Sequence, residues 1–251
     1  MIFPVWQPLA TSSHQLAAQC GTELAELATH TGTLDPMAEG VLVILTGDDR
    51  YAKGSLSDWQ KTYTFSILWG LKTDSGDRLG CILETQATSE SETDFSQKLR
   101  QRIASFPRVY EQPIPAFSAR RIAGGSSFDL AKQGSPLTVK TRTVTLSSIS
   151  YEKIYTLSAA EIKNQHTSAI SKVVGDFRQA AVLESWQEQC LHSCFITEHT
   201  VTVSAGTYIR QLVSDLATKM NIPATTWSIV RTQNGPYTKE DCAVSYGTMT
   251  I

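Results

Sequence analysis

The spacing of apolar residues in the first seventy positions predicts one helix followed by two strands. Ser12 or Ser13 can cap the helix, whose apolar positions recur with the period of about 3.6 residues that defines one helix face. The stretches "GVLVILTG" and "KTYTFSILWG" are rich in aliphatic, β-branched and aromatic residues, which is typical of buried strands. The predicted helix face consists of Leu16, Cys20, Leu24 and Leu27.

The middle of the chain contains a second helix and a long strand. Ser91 and Asp94 resemble a capping box at the start of a helix, and "TRTVTLSSISYEKIYTL" alternates well enough to be a strand. Residues 158–190 are less clear, and only a helix around "AVLESWQEQC" is predicted there. The apolar face of the second helix consists of Phe95, Leu99, Ile103 and Phe106.

The segment "HTVTVSAGTYIRQLVSDLATKM" predicts a strand, a glycine turn and then a helix. Arg210 falls in the first turn of that helix and off its apolar face, so its side chain is free to point at something other than the core. The core face of the helix consists of Ile209, Leu212, Val213 and Leu216.

Strands and helices without regular βαβ alternation or internal repeats predict an α+β fold. The 251 residues, of which 41% are hydrophobic and 18% charged, are sufficient for a folded core. The longest aliphatic run, 41–45, is far shorter than the roughly 20 residues of a membrane helix, and "MIFPVWQPLA" lacks the basic start of a signal peptide. We therefore expect a cytoplasmic protein.

Two minor features leave more than one interpretation open. The cysteines of "CLHSC" have no second ligand pair with zinc-finger spacing, which favours ordinary cysteines over a metal site. The net charge of −2 is not that of a general nucleic-acid binder. Five basic residues nevertheless lie within 35 positions and form either an RNA-binding patch or a solvated face. They are Arg108, Arg120, Arg121, Lys140 and Arg142.

Three polar residues stand where packing alone does not require them: Asp35, Tyr63 and Arg210. Taken singly, each has an ordinary explanation as a turn former, a packed aromatic residue or a solvated arginine. Taken together, they could form a nucleophilic site, because an adjacent arginine keeps a carboxylate ionised. The phosphate-binding patterns GxxxxGK[ST] and GxGxxG and the hydrolase pattern GxSxG are absent.

Five segments, in order along the chain, resemble the TruB-type tRNA pseudouridine synthases, which are related to dyskerin. The first, "HTGTLDPMAEGVLVI", resembles the catalytic motif of that family. The others are "KTYTFSILWGLKTDSGDRLG", "QPIPAFSARRIAGGSSFDLAKQG", "VTVSAGTYIRQLVSDLA" and "IVRTQNGPYT". The resemblance implies the pseudouridine synthase fold, a mixed and mostly antiparallel sheet flanked by helices with a central catalytic cleft.

The resemblance also implies roles for residues that match the motifs. Asp35 is expected to be the catalytic aspartate that acts on uridine 55 in the T-arm stem-loop of tRNA, with Tyr63 against the target base and Arg210 paired with Asp35. No metal or cofactor is expected for an isomerisation. The residues expected to contact RNA are His30, Gly32, Thr33, Leu34, Ser118, Arg120, Arg121, Tyr208, Ile229 and Arg231.

The chain departs from the family pattern at its start. The family usually has an Asp-Lys-Pro-x-Gly segment where this chain has "WQPLA", so Gln7 replaces a lysine and Ala10 a glycine, and the first helix has no lysine or arginine. We expect weaker or narrower RNA binding. We also expect residues 1–251 to form a single catalytic domain without the C-terminal PUA domain, acting as a monomer without a protein partner.

Three functions remain open from the sequence. The first is an active tRNA pseudouridine synthase. The second, suggested by Gln7, the uncharged first helix and the acidic pI, is a tRNA-binding or tRNA-folding protein with weak or no isomerase activity. The third, a carboxylate-dependent hydrolase, is disfavoured because no motif places a second acidic residue as its partner acid.

Overall fold

The computed structural model describes residues 1–118, 121–122, 125–126, 140–189 and 192–242, with only the backbone at 121–122 and 125–126. No helix in this part of the chain is long and apolar enough to cross a membrane. The strands are β1 (Ile2–Gln7), β2 (Ala28–Thr31), β3 (Ala38–Thr46), β4 (Lys61–Trp69), β5 (Leu71–Thr73), β6 (Ile82–Thr85), β7 (Val109–Pro113), β8 (Arg121–Ile122), β9 (Gly125–Ser126), β10 (Thr141–Leu157), β11 (Cys194–Val203), β12 (Ala224–Asn234) and β13 (Tyr237–Thr238).

The helices are α1 (Ser13–Glu23), α2 (Lys53–Ser57), α3 (Glu92–Ala104), α4 (Ala159–Ile170), α5 (Gln179–Glu188) and α6 (Ile209–Met220), with short 3₁₀ turns at Gly47–Ala52 and Lys239–Asp241. The main sheet has the strand order β1-β3-β12-β4-β11-β10-β7, with β2 added beside β3 and β13 beside β12. Neighbouring strands run antiparallel except β3 and β12, which are parallel. The predicted α+β class and the mostly antiparallel sheet are therefore confirmed.

The central strand β4 is buried on both faces. Tyr63, Phe65 and Ile67 pack on one side in a large cluster with α3 and α6, whereas Leu68 packs on the other side with α4 and α5. This alternation follows from the two-residue repeat of a strand. It also explains why the strand is a continuous apolar run in the sequence.

The predicted helix boundaries hold at three of the helix starts. Ser12 caps α1 in a capping box with Gln15, and the Ser91 hydroxyl accepts a hydrogen bond from the Asp94 amide at the start of α3. The apolar face predicted for α6 is buried as expected. The prediction for Leu27 is wrong: α1 ends at Glu23, and Leu27 lies beyond the helix with 70% of its surface exposed.

Residues 158–193, the helical insert, connect two adjacent strands. Leu157 pairs with Cys194 across β10 and β11, so a short turn would be enough to join them. The helix predicted around "AVLESWQEQC" is present as α5, the second helix of the insert. The first helix, α4, was not predicted. In the part that the structure describes, the insert covers Leu68, Ile196 and Trp227 on the face of the sheet away from α3 and α6.

Trp186 anchors the insert. Its indole is fully buried, lies stacked on His166 with ring centroids 3.9 Å apart, and donates a hydrogen bond of 2.9 Å to the Gly80 carbonyl. Trp186→Ala is expected to lower the free energy of unfolding by about 3–5 kcal/mol, because it leaves a cavity and an unpaired carbonyl. Urea denaturation measures this, with Tyr51→Ala, at an exposed position, as the control expected to change it by less than about 0.5 kcal/mol. An equal effect of both variants would contradict the assignment.

Two buried histidines make stability depend on pH. Burial lowers the pKa of His166 and of His199 to about 4. Because the unfolded chain takes up these protons near pH 6.5 and the folded chain only near 4, stability is lost as the pH falls between those values. We expect a loss of about 1 kcal/mol per histidine per pH unit in that window.

Urea midpoints at several pH values between 7 and 4.5 measure the slope. His166→Gln and His199→Gln are each expected to make it shallower than in the unmodified protein. A slope that neither substitution at the buried positions alters would contradict this account.

Candidate active site

Asp35 lies on a turn between β2 and β3. Gly32 adopts a φ of +67°, which favours glycine, and Pro36 keeps Asp35 out of a helical conformation. The Asp35 carbonyl accepts a hydrogen bond of 2.9 Å from the Ala38 amide, which closes the turn where β3 begins. The carboxylate therefore sits on the end of a buried strand while one third of its side chain remains exposed.

Arg210 holds this carboxylate with two hydrogen bonds. Its Nε donates to Oδ2 of Asp35 over 2.8 Å and its Nη2 to Oδ1 over 2.9 Å, a bidentate geometry that orients the carboxylate. The guanidinium also donates to the carbonyls of Ser75 and Phe117, each over 2.7 Å. The expected pairing of Arg210 with Asp35 is thus present, although the two residues are far apart in sequence.

Asp77 is a second acidic neighbour of Arg210 that the sequence did not single out. Its Oδ2 lies 3.7 Å from Nε of Arg210, and its Oδ1 accepts hydrogen bonds from the Ser75 hydroxyl and the Leu79 amide. Burial, together with the negative charge of Asp35, raises the pKa of Asp77 despite Arg210. The only signal in the sequence was a second aspartate within the polar turn "TDSGD".

The two carboxylates keep Arg210 charged. Burial on its own would lower the pKa of the guanidinium, but Asp35 and then Asp77 outweigh it and raise that pKa. An ion pair with only one exposed member can bind and polarise a substrate without rearranging. The arrangement therefore presents a fixed, oriented carboxylate to whatever enters from solvent.

Two cavities meet at Asp35. The first, of about 280 Å³, has Arg210, Asp77, Phe177 and Arg178 in its wall, and the second, of about 300 Å³, has Tyr63 and Lys61. Six other predicted site residues line one cavity or both. His30 and Ser118 line the first, Tyr208 and Ile229 the second, and Thr33 and Leu34 both.

His30 adds no positive charge to the first cavity at neutral pH. Burial, with the nearby charges of Lys53 and Arg231, lowers its pKa to about 4. Lys61, which lines the second cavity, has a pKa lowered to about 8 by burial, and its ammonium donates hydrogen bonds to the carbonyls of Ser57 and Trp59. Neither His30 nor Lys61 therefore places a fully solvated positive charge in the cavities.

The structure corrects the prediction for Arg231. Expected to contact RNA, it is only 1% exposed, and its guanidinium donates to the carbonyls of Val41 and Gly32. Gly40 is needed at this contact, since a side chain there would collide with the Arg231 backbone. Arg231 and Gly32 therefore fix the loop that carries Asp35, and the Gly32 carbonyl is occupied. The predictions for Arg120 and for the Arg121 side chain lie outside the described residues.

The structure also corrects the interpretation of Gln7. This residue is fully buried: its Oε1 accepts a hydrogen bond of 2.7 Å from the Ser13 hydroxyl, and that hydroxyl in turn accepts one from the Leu34 amide, next to Asp35. Position 7 therefore supports the loop that carries Asp35 and does not face solvent. Ala10, where the family has glycine, adopts a φ of +70°, a conformation that costs about 1 kcal/mol for a residue with a side chain.

With this geometry in hand, comparison with known proteins identifies the family. The chain belongs to the TruB family of pseudouridylate synthases, because residues 24–168 match the model of the family's N-terminal domain. The tRNA pseudouridine synthase B of Oenococcus oeni is 30% identical over 83% of this chain, and that of Halalkalibacterium halodurans is 27% identical over 96%. The chain spans 59% of the length of the first protein and 68% of the second.

Solved structures show the same fold. A chain of a Cbf5-Nop10-Gar1 complex superposes with a TM-score of 0.57 at 18% identity, over 95% of this chain and 50% of that one. A chain of an H/ACA RNP bound to a substrate RNA containing 2'-deoxyuridine gives 0.52, also at 18% identity, over 95% and 48%. The pseudouridine synthase fold expected from the sequence is confirmed.

The buried position of Gln7 yields a test. Gln7→Lys, which restores the family's residue, is expected to lower the free energy of unfolding by about 1–3 kcal/mol, because it places an ammonium group where Ser13 requires an acceptor. It is expected to leave the affinity for tRNA unchanged. Urea denaturation and filter binding measure the two effects, with Gln19→Lys on the exposed face of α1 as the stability control. Tighter tRNA binding by Gln7→Lys at full stability would restore the original interpretation.

Proposed function

We propose that this chain converts uridine 55, in the T-arm stem-loop of tRNA, into pseudouridine. The observation that carries the proposal is the Asp35 carboxylate, held by two hydrogen bonds from buried Arg210 yet one third exposed where two cavities meet. Membership of the TruB family and the names of the relatives support the same reaction. We propose that the chain acts in the cytoplasm as a monomeric, single catalytic domain and needs no protein partner.

The reaction is an isomerisation that needs no external electrons. The bond between N1 of uracil and C1′ of the ribose breaks, a bond forms from C5 to C1′, the C5 proton leaves, and N1 takes up a proton. Every atom of the substrate is retained in the product. The protein must therefore supply a nucleophile, a proton acceptor and a surface that holds the detached base, and no metal or cofactor is required.

Asp35 is the nucleophile in this proposal. A carboxylate acts as a nucleophile towards the base or the sugar through its oxygen atoms, and Arg210 holds the Asp35 carboxylate with two hydrogen bonds. The same two hydrogen bonds fix the direction in which the free lone pairs point. This combination of charge and orientation is what an attacking group requires.

Tyr63 is the proposed contact for the base. A uridine in a folded RNA loop must be flipped out, at a cost of a few kcal/mol, before its ring can be reached. Tyr63 lies on a central strand in the wall of the second cavity, and Ile229 and Asp35 line the same cavity. We propose that Tyr63 stacks on the flipped base and takes part in removing the C5 proton, while His30 helps to hold the open RNA loop.

Asp35→Asn tests the proposal. The substitution preserves shape and removes the nucleophile, so pseudouridine formation is expected to disappear. The protein is expected to remain folded but with a lower urea midpoint, because buried Arg210 then keeps only Asp77 as a charged partner. The measurement is carbodiimide labelling and primer extension on an unmodified tRNA transcript, where the unmodified protein gives a stop at uridine 55. Asp48→Asn, an exposed aspartate, is the matched control and retains activity.

Two other outcomes decide against this function. Pseudouridine formation by Asp35→Asn would rule out Asp35 as the nucleophile. No stop with the unmodified protein, together with tRNA refolding that Asp35→Asn accelerates equally well, would favour the tRNA-folding alternative. Part of the motivation for that alternative is already gone, since Gln7 lies in the interior.

A further inference from the structure

The helical insert is attached to the turn that carries Asp77. This turn, residues 73–82, is hereafter the Asp77 loop. The Trp186 indole donates to the Gly80 carbonyl, the Ser185 hydroxyl accepts a hydrogen bond from the Ile82 amide, and His166 is bonded to the Arg78 carbonyl. The insert is therefore hydrogen-bonded to the backbone of the Asp77 loop at several points, and these contacts lie away from the cavities.

Arg178 connects the insert to the active-site side of the same loop. It precedes α5 and adopts a left-handed backbone conformation with a φ of +62°, which is strained for a residue with a side chain. Its guanidinium donates two hydrogen bonds to the Asp74 carboxylate, over 2.9 and 3.2 Å. It also lies over the ring of Phe117, 4.6 Å from the ring centroid.

The two partners of Arg178, Asp74 and Phe117, belong to the segments whose backbone carbonyls bind Arg210. Besides the Asp35 carboxylate, the groups that accept hydrogen bonds from Arg210 are the carbonyls of Ser75 and Phe117. Ser75 follows Asp74 in sequence, and Phe117 is the residue under the Arg178 guanidinium. The Arg178 side chain of the insert therefore contacts both segments whose carbonyls orient Arg210.

We infer that Arg178 is a positioning residue for the Asp35–Arg210 pair, supplied by the helical insert. It acts on the reaction through Asp74 and Phe117, which fix the Ser75 and Phe117 carbonyls and through them the plane of the Arg210 guanidinium. The inference rests on the proposed function. Since Asp74 already pairs with both Nη atoms of Arg178, the side chain is not a free cation for RNA phosphate.

The kinetic test separates positioning from RNA binding. Arg178→Ala is expected to lower the single-turnover rate of pseudouridine formation by about 10- to 100-fold, because small displacements of a catalytic group have effects of this size. The Kd for tRNA is expected to stay within about 3-fold, since the guanidinium is paired. Lys172→Ala, at an exposed lysine of the same insert, is the matched control and keeps the parental rate.

Two further variants distinguish positioning from general loss of structure. Arg178→Lys retains the charge but cannot make the bidentate contact, and it is expected to recover only part of the rate. Ethylguanidinium added to Arg178→Ala is expected to restore rate, which it would not do for a merely unfolded protein. The rate losses of Arg178→Ala and Asp74→Ala are expected to be non-additive in the double variant.

Three outcomes would overturn the inference. They are a weaker Kd with an unchanged rate, a lower melting temperature with an unchanged rate at a permissive temperature, and full activity of Arg178→Ala. If the unmodified protein forms no pseudouridine, the proposed function fails, and Arg178 is judged by nitrogen-15 NMR of the Arg210 Nε–H. Faster hydrogen exchange at that group in Arg178→Ala supports positioning, whereas unchanged exchange overturns it.

Discussion

The site is organised by one buried cation, the guanidinium of Arg210, between two carboxylates. Removing a guanidinium from water is expensive unless its charge and its hydrogen-bond donors are all satisfied. Asp35 and Asp77 supply negative charge beside it, while the Ser75 and Phe117 carbonyls accept two further hydrogen bonds. Three separate parts of the chain must therefore come together beside α6 before the helix can keep a buried arginine in its first turn.

The two carboxylates beside Arg210 differ in exposure and in their hydrogen bonds. Asp77 is buried and hydrogen-bonded within its own loop, so it exposes little surface to the first cavity although it lies in the cavity wall. Asp35 keeps one third of its side chain in the cleft. The two carboxylates thus differ in burial and solvation, as paired acids do in other sites.

The sequence was informative where a pattern depends on local spacing. The spacing of apolar residues predicted the buried faces of α3 and α6 and placed Arg210 off the apolar face of α6. This was possible because the faces of a helix depend only on local spacing. Gln7 and Arg231 were misjudged because both are polar residues that are buried in the fold. Gln7 bonds to Ser13, six positions away, whereas Arg231 bonds to carbonyls 190 and 199 positions away.

The helix α4 and the role of Arg178 were missed for related reasons. The buried face of α4 includes His166, which does not count as an apolar position in the sequence. In the fold it is buried in a stacking contact with Trp186. Arg178 pairs with Asp74 across 104 positions, and no local rule connects them. Tertiary contacts of this kind override propensity and can be read only from the folded chain.

The parallel pairing of β3 with β12 has a consequence for how the protein is made. The loop that carries Asp35 is bonded to Arg231 across 199 positions, through the Gly32 carbonyl. A ribosome releases the motif long before it releases β12, the strand that secures it. The nascent chain can form α1 and its hairpins well before then, but the Asp35 carboxylate acquires its fixed position only once β12 has emerged, by slow, long-range closure.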